Sequence, residues 1–175
     1  MSVKKYNILD RVTELGIGPV KMLSDLDNNP ELVDAYAKYA FSNQKYAWRA
    51  AWIISHYSKK KPELIQKYVN DFILAAKHTE ANGHLRETLK IIYNLKLNEE
   101  QTSEIFDLCM DLLEDNKRQP SVRMIAFSFL IRVAKNYPEL SSEIEIIVEN
   151  IKEYLSPGIK HSMTQRINKI KKTTK

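Results

Sequence analysis

The stretch Pro120-Ser121-Val122-Arg123-Met124-Ile125-Ala126-Phe127-Ser128-Phe129-Leu130 decides the fold. A proline opens it, and in the first turn of a helix the missing N–H costs nothing. Val122, Ala126 and Leu130 then fall on one helical face. The pair Val122-Arg123, an apolar residue followed by a base, returns at intervals of 37 residues as Trp48-Arg49, Leu85-Arg86 and Ile159-Lys160. Seven residues after the base come His56, Tyr93, Leu130 and Ile167, and three before it come Tyr46, Gly83, Pro120 and Pro157. A fixed period of this kind marks a repeat architecture, and it governs the reading of the rest of the chain.

Between the copies lie segments that read as the first helix of each unit. Leu64, Ile65, Tyr68, Val69, Phe72 and Ile73 follow helical spacing, as do Ile144, Ile147, Val148, Ile151 and Leu155. Pro30-Glu31, Pro62-Glu63 and Pro138-Glu139 put an acid beside the positive end of each helix dipole. The pattern predicts helices over 4–15 and 19–27, separated by Gly16 and Gly18, then hairpins 30–41/44–58, 62–77/83–96, 98–115/119–135 and 138–155/157–171. A helix pair cannot bury its apolar face alone, so the pairs must stack. The expected architecture is a single all-α domain: an α-solenoid of about four hairpins over 30–171, an N-terminal helical cap over 1–29, and a basic tail over 172–175.

With 175 residues the chain can bury a core without staples. Its 43% apolar and 28% charged residues are ordinary for a globular protein. No run approaches the roughly 20 apolar residues of a membrane span. Asp10, Arg11 and Glu14 break any signal-like apolar core after Lys4 and Lys5. The one cysteine, Cys109, lies in an apolar stretch and reads as a small buried hydrophobe. A lone thiol fits a reducing compartment, so a cytoplasmic location is expected.

In its proline, its Val-Arg pair, the alanine three residues on and the leucine seven on, the 120–130 stretch resembles the second helix of a HEAT repeat. Ala50-Ala51 after Arg49 makes the first unit similar. The resemblance, to small bacterial HEAT-like (ARM-type) chains, covers about 30–171. The 37-residue period is shorter than the roughly 40–47 usual for such units. The resemblance implies stacked hairpins whose second helices line a concave face, and a binding role in place of catalysis. The chain also bears a distant resemblance to HEAT-like DNA-alkylation-repair glycosylases. They engage damaged DNA with concave-face aromatics and an acid, and the second helices here show no convincing acidic partner for Trp48, Trp52 and Tyr57.

Charge is sorted between the two helix classes. Residues 42–61, 117–136 and 156–175 contain lysine and arginine and no acid, whereas 98–116 contain seven acids and no base. If the second helices line a concave face, that face is basic, and it recruits the opposite sign. The expected partner is an acidic protein segment, with nucleic acid as the alternative. The competing explanation is local. Lys59–Lys61, Lys96, Lys135 and Lys169–Lys172 sit near helix C-termini, where the dipole favours cations, and Arg49, Arg86 and Arg123 can form a structural ladder with carboxylates of neighbouring units.

The candidate binding residues follow from the basic column and the stripe that continues it: Arg49, Ile53 and Tyr57, then Arg86 and Lys90, then Arg123 and Phe127, then Lys160. A base followed by apolar residues can groove an amphipathic or extended peptide; packing between adjacent second helices is the equal alternative. Trp48, Trp52 and His56 form the neighbouring stripe. They share the phase of Val122, Ala126 and Leu130 and are expected in the core, with a base-stacking platform as the alternative. His78 and His84 flank a turn and read as solvated. No zinc spacing, P-loop, dinucleotide glycine pattern or nucleophile elbow occurs, so no catalytic residue, metal or cofactor is expected.

Overall fold

Every proline in the chain opens a helical segment. The computed structural model describes residues 8–13 and 19–173. Its helices are α1 (Ile8–Thr13), α2 (Pro19–Asn28), α3 (Pro30–Ala40), α4 (Ala47–Tyr57), α5 (Pro62–Ile65) and α6 (Val69–His78). They continue as α7 (Asn82–Asn94), α8 (Glu99–Glu114), α9 (Pro120–Ala134), α10 (Ser141–Asn150) and α11 (Pro157–Thr173). No strand occurs among the described residues. The all-α hairpin series expected from the repeat is therefore the fold observed. The outer ends of the expected helix 4–15, the Gly16–Gly18 break and residues 174–175 of the basic tail lie outside the described residues.

Two expected first helices are not continuous. The segment 62–77 is a single turn, α5, then a 3₁₀ turn over Gln66–Tyr68, then α6. Gln66 explains the tightening. Its amide donates to the Lys96 carbonyl at 2.8 Å and accepts from the Lys96 N–H at 3.0 Å. The turn is thereby clamped to the connection after α7. In 138–155, 3₁₀ turns at Pro138–Leu140 and Lys152–Tyr154 flank α10, a usual way to close helix ends.

Residues 1–96 and 97–175 form two compact units. In the first, α3 pairs with α4 and α6 with α7, and the second helices α4 and α7 lie directly against each other. Alanine makes the α3–α4 approach close: Ala37, Ala40, Ala47, Ala50 and Ala51 are all buried. Phe41, just past α3, packs edge-on against Phe72 of α6 with ring centroids 5.5 Å apart. His84, expected in solvent, is buried and joins the two hairpins. Its Nε2 lies 2.6 Å from the Ala40 carbonyl and its Nδ1 lies 3.0 Å from the Thr79 hydroxyl. A carbonyl can only accept, so Nε2 carries the proton and the Thr79 hydroxyl donates to Nδ1. The bond satisfies a carbonyl that the end of α3 leaves orphaned.

In the second unit α8 pairs with α9 and α10 with α11, and α9 also meets α11. Helix α8 starts on a reciprocal cap: Asn98 accepts from the Gln101 N–H at 2.8 Å, and Gln101 accepts from the Asn98 N–H at 3.0 Å. Cys109 is fully buried on α8, as expected, and burial pushes its thiol up.

Helix α4 begins at Ala47 because Tyr46 adopts φ 70°, a left-handed conformation that stops the helix from starting earlier. Such a backbone costs an L-residue with a Cβ about 1 kcal/mol and costs glycine little. Tyr46→Gly is expected to be more stable than Tyr46→Ala by about 1 kcal/mol in denaturant melts, the reverse of helix preference. An alanine variant as stable as the glycine variant would contradict the assignment.

Candidate functional site

The basic column splits into four different environments. Arg49, in the first turn of α4, is half-buried. Its Nη1 donates to the Val12 carbonyl at 2.7 Å, and its guanidinium lies 5.4 Å from the centre of the Trp48 ring. Arg86 and Lys90, on α7, are part-exposed and converge on Glu87, at 2.9 and 3.0 Å. Arg123 is only 3% exposed and donates from Nε to the Leu113 carbonyl at 3.0 Å. Lys160, near the start of α11, is exposed.

The apolar members of the expected groove are interior. Ile53 and Phe127 are buried. Tyr57 is buried too, and Lys61, which pairs with Asp27 at 2.8 Å, lies 5.8 Å from the centre of its ring. The guanidinium of Arg166 covers the Phe127 ring at 4.9 Å. Ile53, Tyr57, Arg123 and Phe127 are thus committed to packing within their own unit and offer no surface to a partner. Arg49, Arg86, Lys90 and Lys160 keep accessible surface.

The stripe expected in the core faces outward instead. Trp48 is 46% exposed, and Trp52 and His56 are half-buried. Their counterparts Val122, Ala126 and Leu130 are buried. The difference lies in α4 itself, whose buried side is built from Ala47, Ala50, Ala51 and Ile54, while the two tryptophans take the outer side. The Ala50-Ala51 pair was the available signal, since small residues mark the side of close helix approach. Trp52 and His56 pack edge to face with ring centroids 5.0 Å apart.

One buried carboxylate organises the α4–α7 seam. Glu87 is 1% exposed and accepts from Ser55 of α4 at 2.7 Å, besides Arg86 and Lys90. Burial alone would raise its pKa, but the hydrogen bonds from Ser55, Lys90 and Arg86 outweigh burial and hold it below the usual carboxylate range. Asn94 of α7 adds a bond to Ser58 at 2.9 Å. Burial also lowers the pKa of His56, helped by the field of Lys59 and countered by Glu87. His56 directly follows Ser55, which donates to Glu87, so the His56 end of the stripe lies next to the polar cluster of α7. In the second unit the seven acids of 98–116 lie on and just after α8, and the bases lie on and around α9 and α11.

A family model described as HEAT repeat domain matches residues 12–171. No curated protein and no solved structure matches the chain significantly. No helix among the described residues is long and apolar enough to cross a membrane.

Two measurements check these placements. Arg123→Ala is expected to lower stability by about 2–4 kcal/mol, because it empties a buried site and orphans the Leu113 carbonyl. Lys160→Ala is expected to stay within about 0.5 kcal/mol of the parent, and equal losses would contradict the split. His56 is expected to titrate below the ordinary histidine range in an NMR pH series. Its depressed pKa means the folded state favours the neutral ring. This contribution to stability is present above the unfolded-state pKa and is lost as pH falls through that value towards the folded one. A His56 midpoint above the ordinary range would refute its burial.

Proposed function

The chain belongs to the HEAT repeat family, and from that premise we propose that it is a non-catalytic binding protein that holds an acidic protein segment against the adjacent second helices α4 and α7. HEAT repeats commonly mediate protein interaction. The supporting observation is the charge of α4, α7, α9 and α11. Among their described residues they contain a single carboxylate, Glu87, and it is buried and neutralised by two bases. Every charged group that these helices turn to solvent is therefore cationic. A surface of one sign attracts the opposite sign and speeds encounter.

The residues assigned to contact the segment are Arg49, Arg86 and Lys90 of the first unit. The lysines at helix ends add field without being specific contacts. A binding role asks for no metal or cofactor.

Fluorescence anisotropy with a labelled glutamate-rich peptide tests the reading. Binding is expected at low salt and should weaken as salt rises, since exposed ion pairs are screened. A double variant, Arg49→Gln and Arg86→Gln, is expected to bind roughly fivefold more weakly, from about 0.3–1 kcal/mol per exposed charge. Unaltered affinity in a double variant with parental circular dichroism would sink the proposal.

A further inference from the structure

We infer that the outward stripe Trp48, Trp52 and His56 is an anchor platform that takes one aromatic side chain of the bound acidic segment. The inference rests on the acidic-segment reading and adds a specificity element to it. Both tryptophans of the chain lie here, one helical turn apart. Exposed indole is expensive to leave in water, and tryptophan is over-represented among residues that dominate binding energy. The rings are also held in place. Arg49 covers Trp48 at 5.4 Å and is itself fixed by the Val12 carbonyl, while His56 packs edge-on against Trp52 at 5.0 Å. Side chains ordered before binding lose little freedom on binding.

The cations beside the stripe specify what accompanies the anchor. Arg86 and Lys90 share the single buried carboxylate of Glu87, and one guanidinium nitrogen of Arg49 is taken by a carbonyl. The three cations therefore keep an excess of positive charge, but a moderate one. That excess suits a few carboxylates around an apolar residue. A nucleic-acid strand presents a charge at every nucleotide and draws its affinity from many phosphate contacts. The geometry thus favours a peptide with acids flanking an aromatic residue.

Because both tryptophans lie in the platform, intrinsic fluorescence reports on it directly. Two synthetic peptides of equal negative charge, one with a central Phe among glutamates and one with Gly in its place, are titrated into the full chain. The Phe peptide is expected to bind about tenfold tighter and to shift the emission. Trp48→Ala should remove that preference and Trp48→Phe should keep it, while Arg86→Gln weakens both peptides alike. Should Trp48→Ala disturb folding, judged by circular dichroism, Trp52→Phe with the same pair of peptides supplies the comparison, and there the emission change should shrink while the preference stays. Equal affinity for the two peptides with unmoved emission would overturn the anchor and leave the acidic-segment reading standing. No binding of either peptide at low salt would overturn both. A single-stranded oligothymidylate that quenches the tryptophans at lower concentration than the Phe peptide would also overturn the proposal and give the platform to nucleic acid.

Discussion

Glu87 is a carboxylate almost removed from water at the seam between α4 and α7, and the first unit is arranged around that fact. An ionised carboxylate cannot be buried without partners, because desolvation costs several kcal/mol. Here a hydroxyl from α4 and two bases from α7 supply them. The arrangement sets the register of the two helices, since Ser55 must stand opposite Glu87. Asn94, two turns on from Glu87, repeats the coupling with Ser58, one turn on from Ser55. That register places His56, which follows Ser55, next to the carboxylate on which Arg86 and Lys90 converge. The same contacts hold the bases part-exposed when they would otherwise extend freely into solvent.

Much of the fold was legible because a repeat writes its period several times. The Val-Arg pair, the six helix-opening prolines and the apolar spacing located each hairpin to within a few residues. The departures have local causes. The 62–77 helix breaks where Gln66 turns its amide to the Lys96 peptide, a contact between positions 30 residues apart that no local pattern announces. His84 looked like a turn residue by its neighbours, yet it is drawn inward by a carbonyl on another hairpin, the one at Ala40.

The site was less legible, and the reason is the same periodicity. Position within a repeat does not by itself determine role: an 11-residue helix that buries Ala47, Ala50 and Ala51 differs from a 15-residue one that buries Phe127, Phe129 and Leu130. Trp48 and Val122 share a repeat position and differ in environment. So do Tyr93, half-buried, and Leu130, fully buried. Side-chain size beside the helix contact decided the outcome more than phase did.

The basic column raises a sharper question, because its place in each helix is electrostatically wrong. Arg49, Arg123 and Lys160 stand in or next to the first turn of their helices, where the dipole disfavours cations. Preference for helix C-termini explains Lys59–Lys61, Lys135 and Lys171–Lys172 and cannot explain these. Hydrogen bonding can. Arg49 donates to Val12 near the end of α1, and Arg123 donates to Leu113 near the end of α8. The Arg123 guanidinium meets the negative end of α8 and satisfies a carbonyl orphaned there. The partners are backbone carbonyls, where the structural ladder read from sequence had placed carboxylates of neighbouring units. A lysine has no planar fork for such a clamp, and Lys160, the one lysine of the column, is also the member left in solvent. Arg49 and Arg123 are thus joints between helices first, whereas Arg86 spends its guanidinium on Glu87 of its own helix. Arg49 combines the two roles, since the same group that bonds Val12 also lies beside the exposed Trp48 ring.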